Sequence, residues 1–252
     1  MKKLFPNMLD RPEGPVVAIG FLYGLAAFVA VPYILFWFVL GMNDDRAALT
    51  TIELIYHAVN FLLSVTIFGG YLKESFLNFR VDTKNCIVTA LIGAVLMVLW
   101  AAAVFFAGFL TKSEGTLLAA LSILPLPEME LQMLAGEQIF YSPVLGTVCM
   151  VLLIPVSVSC LYYAVGFAPL AEKRPWMGYA FLMLVAAIPR IVNMLTFWAP
   201  GDELVLYLFQ LPIHLIACWT YQKTDTVFTP VLTLAGANLF ACLCRFVLFG
   251  AA

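Results

Sequence analysis

Charged residues are scarce in this chain. Lys, Arg, Asp and Glu make up 11% of its 252 residues, 63% are hydrophobic, and the mean hydropathy is +1.00. Soluble domains carry roughly 25% charged residues. No polar stretch is long enough to build a soluble domain. The net charge of −2 and the lack of a basic cluster also argue against a nucleic-acid partner and a polybasic lipid-binding tail.

Common catalytic and metal-binding signatures are missing as well. The chain has no GxSxG, no HExxH, no phosphate-binding glycine loop and no internal repeat, and its six cysteines lack CxxC spacing. With only His57, His214 and nearby Glu53 as candidate ligands, neither a metal site nor a cofactor is predicted. Ser157 and Ser159 have no histidine or lysine nearby in sequence that would activate a nucleophile.

Long apolar runs are what the sequence does contain. Because about 20 apolar residues cross a bilayer, the chain is predicted to be an all-α, polytopic transmembrane bundle forming one domain over residues 1–252. Segment 115–127 is also apolar and could add an eighth, re-entrant element. The seven predicted spans are 15–41, 51–72, 87–110, 140–170, 177–199, 204–221 and 227–249.

The basic residues between the spans predict an orientation. Cytoplasmic loops carry an excess of Lys and Arg. Nine such residues fall on the side of the N-terminus, against Arg46, Lys112 and Arg245 on the other side, so the N-terminus is predicted to be cytoplasmic. The nine are Lys2, Lys3, Arg11, Lys73, Arg80, Lys84, Lys173, Arg174 and Lys223.

A few polar residues lie inside the apolar runs, where they are costly unless they have partners, so each is a candidate functional residue. Glu53, His57 and Asn60 share one helical face at i, i+4 and i+7. Two interpretations stay open: the polar residues line one cavity, or they join helices through hydrogen bonds of about 1 kcal/mol each. The remaining candidates are Arg190, Asn193, Gln210, His214 and Asn238.

Prolines inside the predicted spans indicate bent helices. Each removes a backbone hydrogen bond and should kink its helix, and kinks at a common depth favour a cavity. The four are Pro32, Pro155, Pro189 and Pro212.

The stretch from about 140 to 242 resembles the CPBP family, the CAAX protease and bacteriocin-processing group also called Abi. "IPVSVSCLYYAVGFAPL" is similar to the family's first motif, a proline-containing helix with EExxxR followed by glycine. Aligning Gly166 with that glycine puts Cys160 and Leu161 at the two glutamates and Val165 at the arginine.

Two later stretches extend the resemblance. "VAAIPRIVNML" is similar to the second motif, FxxxH, with Pro189 at the aromatic position and Asn193 at the histidine. "FQLPIHLIACWTYQKTDTVFTPVLTLAGANLF" is similar to the final motif, which ends in HxxxN. There Leu234 stands at the histidine and Asn238 at the asparagine, so Asn238 resembles the one surviving member of the family's active site.

The resemblance implies a function. In the family a glutamate activates water, while histidine and asparagine stabilise the developing oxyanion. Here the aligned positions are mostly substituted, which implies a non-catalytic partner that binds or presents another membrane or cell-surface protein, in the plasma membrane of a prokaryote. If so, Asn193, His214 and Asn238 are expected to converge with Cys160 on one cavity.

Two alternatives remain. One is an active intramembrane endopeptidase that uses unconventional residues, which would need a carboxylate or histidine within reach of a water. The other is a small-solute transporter whose pathway is lined by Arg190 and the face of Glu53, His57 and Asn60. The absence of a detectable repeat counts against transport.

Overall fold

The structure, a computed structural model, describes residues 11–31, 34, 46–111, 143–172, 174–197 and 200–249. These ranges are helical and contain no strand, which confirms the all-α prediction. Predicted segment 115–127 lies outside them. The α-helices are α1 (Gly14–Leu25), α2 (Arg46–Val81), α3 (Thr83–Thr111), α4 (Pro143–Val148), α5 (Ile154–Val158), α6 (Ala168–Ala171), α7 (Pro175–Phe197), α8 (Pro200–Thr224) and α9 (Phe228–Phe249).

Within the described ranges, four helical segments are long and apolar enough to cross a membrane, so the chain is an integral membrane protein. Large apolar side chains cover their outer surfaces, as contact with lipid requires; Leu184 is 67% exposed and Leu62 is 62% exposed. The segments are Leu54–Val81, Thr83–Val104, Gly146–Ala171 and Pro175–Val192, and the shorter apolar helices are Gly14–Ala30 and Phe228–Leu243.

One helical segment forms the centre of the bundle. Helices α4, α5 and α6 follow one another through two π-helical stretches, Cys149–Leu153 and Ser159–Val165, and we call residues 143–171 the central helix. Of its apolar window 72% is buried, against 22% to 39% for the other three spans. Because its side chains meet protein on most sides, the central helix is where polar groups from several helices can converge.

Helix α3 packs closely against α8 and α9. The approach depends on Gly93, because a Cβ added there would lie 2.6 Å from the Thr220 methyl and 2.8 Å from the Thr233 methyl. Small residues let membrane helices come this close, and the dispersion contacts that result hold the helices together where no hydrophobic effect operates. This packing fixes α8 and α9, and with them the candidate polar residues of both helices.

Candidate functional site

Asn238 joins the last helix to the central helix. Its Nδ2 donates to the backbone carbonyl of Met150 at 2.5 Å. Around Met150 the helix is in π register, so Ile154 N–H bonds the carbonyl of Cys149, five residues back. The next donor in that register would be Pro155, which has no N–H. Asn238 therefore supplies to the Met150 carbonyl the hydrogen-bond donor that Pro155 lacks.

The first helix contains the same arrangement. A π-helical stretch, Ala26–Ala30, ends with Val31 N–H bonded to the carbonyl of Ala26, and residue 32 is proline. The carbonyl of Ala27 would be next in register, and the Tyr56 hydroxyl donates to it from α2 at 2.5 Å. Side chains of neighbouring helices commonly satisfy backbone groups that proline frees in membranes.

A third bond lies beside a proline of α8. Trp100 of α3 donates its ring N–H to the carbonyl of Phe209 at 2.8 Å, three residues before Pro212. Proline disturbs the carbonyls of the preceding turn. The indole therefore bonds a carbonyl in the turn before a proline, as the amide and the phenol do at the other two contacts.

A buried polar cluster around Arg190 adjoins the central helix at Tyr162 and Tyr163. Arg190 of α7 donates through Nη2 to Oε1 of Gln210 at 2.8 Å, and their side chains are only 4% and 8% exposed. His214, one turn beyond Gln210, lies within electrostatic range of Arg190 and within 3.3 Å of the Tyr163 hydroxyl through Nδ1. The Tyr162 ring lies 4.8 Å from the His214 ring, centroid to centroid. We call these five residues the arginine cluster.

A smaller polar group joins α1 and α2. The Tyr23 hydroxyl donates to the backbone carbonyl of Asn60 at 2.8 Å and lies 3.2 Å from Asn60 Oδ1 and 3.4 Å from the Ser64 hydroxyl. Cys160 of the central helix lies in the vicinity of Tyr23. Asn60 Nδ2 and the Ser159 hydroxyl are buried and without a hydrogen-bond partner among the described atoms.

Most positions aligned with the protease motifs are apolar and enclosed. Cys160 and Leu234 are fully buried, and Leu161 and Val165 are 5% and 4% exposed. A carboxylate or guanidinium would require polar surroundings at these positions. Asn238 is 1% exposed, and its amide nitrogen already serves Met150.

Leu161 and Val165 line a small apolar pocket between α1, the central helix and α7. Its volume is about 40 Å³. Gly24 forms part of the α1 wall, and Pro189, next to Arg190 in sequence, forms part of the α7 wall. Tyr162, a member of the arginine cluster, also lines this pocket. The other four members of the cluster are not part of its lining.

The predicted candidates do not all meet in one place. His214 contacts the central helix at Tyr163 and Asn238 contacts it at Met150, thirteen residues apart. Thirteen residues are about three helical turns, so the two contacts lie at well-separated heights along the central helix. His214 and Asn238 therefore serve different contacts instead of sharing one cavity.

Three further candidates are His57, Glu53 and Asn193. His57 is 4% exposed and packs edge-on against Tyr56 with ring centroids 5.1 Å apart. The side chains of Glu53 and Asn193 lie outside the described part of the structure. Among described residues no group of three His, Cys, Asp or Glu side chains is placed to hold a metal, and the five described cysteines are free thiols.

Tyrosine and tryptophan contacts were missed by sequence reasoning that considered mainly charged and amide side chains. Tyr23, Tyr56, Tyr163 and Trp100 each supply a polar contact between helices. The signal that could have identified these residues is the number of Tyr and Trp side chains, since each needs a partner for one polar atom when it is buried.

No protein-family model, no curated protein and no solved structure matches the chain.

Proposed function

We propose that this chain is a non-catalytic, CPBP-like integral membrane protein that binds or presents another membrane or cell-surface protein. The observation that carries the proposal is the state of the motif positions. Cys160, Leu161, Val165 and Leu234 are enclosed and offer no group that accepts a proton from water or stabilises an oxyanion. If these stretches are the family's motifs, a chain that carries them without their chemistry is suited to binding.

Asn238 supports the same proposal. In the resembled proteases this position would stabilise a developing negative charge. Here its N–H donates to the Met150 carbonyl, and its Oδ1 has no partner among the described atoms. An amide held on a backbone carbonyl within the membrane stabilises the contact between two helices. Its presence is then explained by packing and needs no catalytic role.

The proposal includes seven spans with a cytoplasmic N-terminus. Two contacts gather basic loops at one end of the bundle: Arg11 forms an ion pair with Glu172, and the Ser75 hydroxyl lies 2.9 Å from that of Thr226. These contacts support a common face for the N-terminal segment, the end of the central helix and the α8–α9 turn. The positive-inside rule assigns this face to the cytoplasm.

Cysteine labelling in intact cells tests this orientation. Asp82→Cys and Lys223→Cys lie at exposed positions of that face and should react with a membrane-impermeant maleimide only after permeabilisation. Arg46→Cys, on the predicted outer side, should react without it. Reaction of both Asp82→Cys and Lys223→Cys in intact cells would show that the orientation is the opposite one. Reaction of only one of the two would contradict the prediction of seven spans.

Photo-crosslinking tests the binding role. The proposed orientation places the segment between the predicted spans 87–110 and 140–170, residues 111–139, outside the cell. A photoreactive amino acid at Leu118 of this predicted loop should give a discrete adduct with one membrane or cell-surface protein. The same amino acid at Leu195 of α7, an apolar position that is 74% exposed, serves as the matched control. The partner, once identified by mass spectrometry, is then purified and tagged at both ends for reconstitution with this chain.

The outcomes separate binding from catalysis. Recovery of the partner at full length with both tags, crosslinked from Leu118 but not from Leu195, supports a non-catalytic binding protein. Time-dependent loss of one tag that His214→Ala abolishes would establish a peptidase instead. Equal adducts from both positions, or none from Leu118, would remove the predicted loop as the binding surface and overturn the proposal in this form.

A further inference from the structure

Helices α2 and α3 meet in a tight corner that extends past the neighbouring α8–α9 turn. On α2 the Ser75 hydroxyl lies 2.9 Å from the hydroxyl of Thr226, just before α9. On α3 Cys86 lies beside Thr229, in the first turn of α9. Both helices therefore pass the start of α9 at about the same level. We call residues 76–85, which connect these two points, the corner segment.

Charged side chains mark that level as the edge of the hydrocarbon. Lys73 and Glu74 are exposed on α2 directly before Ser75, and Lys223 is exposed at the end of α8. Helix α2 continues from Ser75 to Val81, which at 1.5 Å per residue is about 9 Å. The headgroup layer on each side of a bilayer is roughly 5–8 Å thick. The corner segment therefore extends through the headgroup layer.

The corner segment exposes apolar and basic side chains together. Leu77 is 53% exposed and Val81 is 69% exposed. Arg80, also exposed, shares a helical face with both of them at i, i+3 and i+4, and Lys84 is exposed on the α3 side of the corner. Apolar side chains next to cations at the membrane surface are typical of segments that bind the lipid interface.

We propose that the corner segment binds the headgroup of an anionic phospholipid, with Arg80 and Lys84 toward the phosphate and Leu77 and Val81 against the upper acyl chains. Charge complementarity carries the choice of ligand. The two cations and the single carboxylate of Asp82 leave the corner segment with a net charge of +1. One positive charge at a membrane surface favours anionic lipid by about fivefold.

The apolar side chains complete the site. Two cations are fewer than a polybasic segment carries, so charge alone would hold a lipid weakly. Phe76 and Phe79 stack on each other with ring centroids 6.3 Å apart, and both rings contact Phe228 at the start of α9. This aromatic packing fixes the end of α2 against the bundle. Leu77, Arg80 and Val81 are thereby held on a helix of defined position instead of a loop.

The experiment uses the full chain in nanodiscs made of equal parts phosphatidylcholine and phosphatidylglycerol. A photoreactive amino acid at Leu77 captures the lipid beside Arg80, and mass spectrometry counts the adducts of each lipid. The phosphatidylglycerol adducts are expected to exceed those of phosphatidylcholine by about fivefold. The same amino acid at Leu62 of α2, which is 62% exposed within the apolar span, is the matched control and should capture both lipids equally.

Charge removal tests the role of the two cations. Arg80→Gln combined with Lys84→Gln should bring the lipid ratio at Leu77 close to one, because the corner segment then carries only the Asp82 carboxylate. Lys223→Gln is the control, since Lys223 is exposed near the same membrane surface but lies outside the corner segment, and it should leave the ratio unchanged. Circular dichroism and gel filtration check that every variant is folded.

Three results would overturn the proposal. Equal capture of the two lipids at Leu77 would show that the corner segment has no preference for an anionic headgroup. An unchanged preference in the folded double variant would show that Arg80 and Lys84 do not bind the phosphate. Loss of the phosphatidylglycerol adducts on addition of soluble glycerol phosphate would identify a free phosphate ester as the ligand. The readouts involve no protein partner, so they are independent of the proposed binding function.

Discussion

The contribution of Asn238 to the free energy of unfolding can be estimated from the hydrogen bond that it makes. Replacing it with Leu removes the hydrogen bond to the Met150 carbonyl and leaves that carbonyl without the donor. Interhelical bonds in membranes contribute about 0.6–2 kcal/mol, and an unsatisfied buried group costs about 1–3 kcal/mol. The substitution also removes Oδ1, which is buried without a described partner, and this offsets part of the loss. We expect Asn238→Leu to lower the free energy of unfolding by about 1–2 kcal/mol.

A double-mutant cycle tests the cause of that loss. Pro155→Ala restores a backbone N–H five residues after Met150, in the register that Ile154 already uses toward Cys149. With this donor present, Asn238→Leu should cost only about 0.5 kcal/mol or less, which gives a coupling of roughly 1 kcal/mol. Pro189→Ala is the control, because it restores an N–H on α7 and should leave the cost of Asn238→Leu unchanged.

Reversible unfolding by sodium dodecyl sulfate in mixed micelles, followed by circular dichroism, measures every variant. The cycle compares the parent chain, both single variants and the double variant under one lipid and detergent composition. If Asn238→Leu costs the same with proline or alanine at residue 155, the amide does not compensate for the missing N–H. The hydrogen bond to Met150 would then be unrelated to Pro155.

Three other contacts can be checked by the same unfolding assay. Tyr56→Phe deletes only the hydroxyl that donates to Ala27 and should cost about 1 kcal/mol; no loss would contradict its role beside a proline. Trp100→Phe should cost about 1–2 kcal/mol through the lost bond to α8 and the smaller ring, and an effect near zero would show that this bond is not formed in the membrane. Gly93→Ala should cost about 1–3 kcal/mol because its Cβ would lie 2.6 Å from a Thr methyl, whereas Gly70→Ala, in open space, should not destabilise the chain; equal effects would refute close packing at residue 93.

Much of the fold follows from the sequence because the bilayer restricts the choices. Runs of about 20 apolar residues with little charge can satisfy their backbones only as helices, and the helical structure of the described ranges confirms this. Polar residues within those runs also face inward. His57, Asn60, Arg190, His214 and Asn238 are all at most 5% exposed. Their rarity among apolar neighbours was enough to predict that they face protein.

The partners of those residues could not be predicted in the same way. Asn238 bonds a main-chain carbonyl, and such an acceptor exists at every residue, so no sequence pattern distinguishes the one at Met150. His214 meets the Tyr163 hydroxyl, and the tyrosine is one of ten in the chain. Which acceptor is used depends on the relative height of two helices. That height is set by the packing of many apolar side chains rather than by any motif.

Proline positions nevertheless carry information that periodicity does not. In a π-helical turn the donor lies five residues after the acceptor, so a proline identifies one carbonyl, at Ala27 for residue 32 and at Met150 for Pro155. In hydrocarbon that carbonyl requires a donor from another helix, because water is absent. The phenol of Tyr56 and the amide of Asn238 meet this requirement. A lone asparagine opposite a proline-bearing span is therefore first a candidate for helix contact, and a catalytic interpretation requires a second polar group beside it.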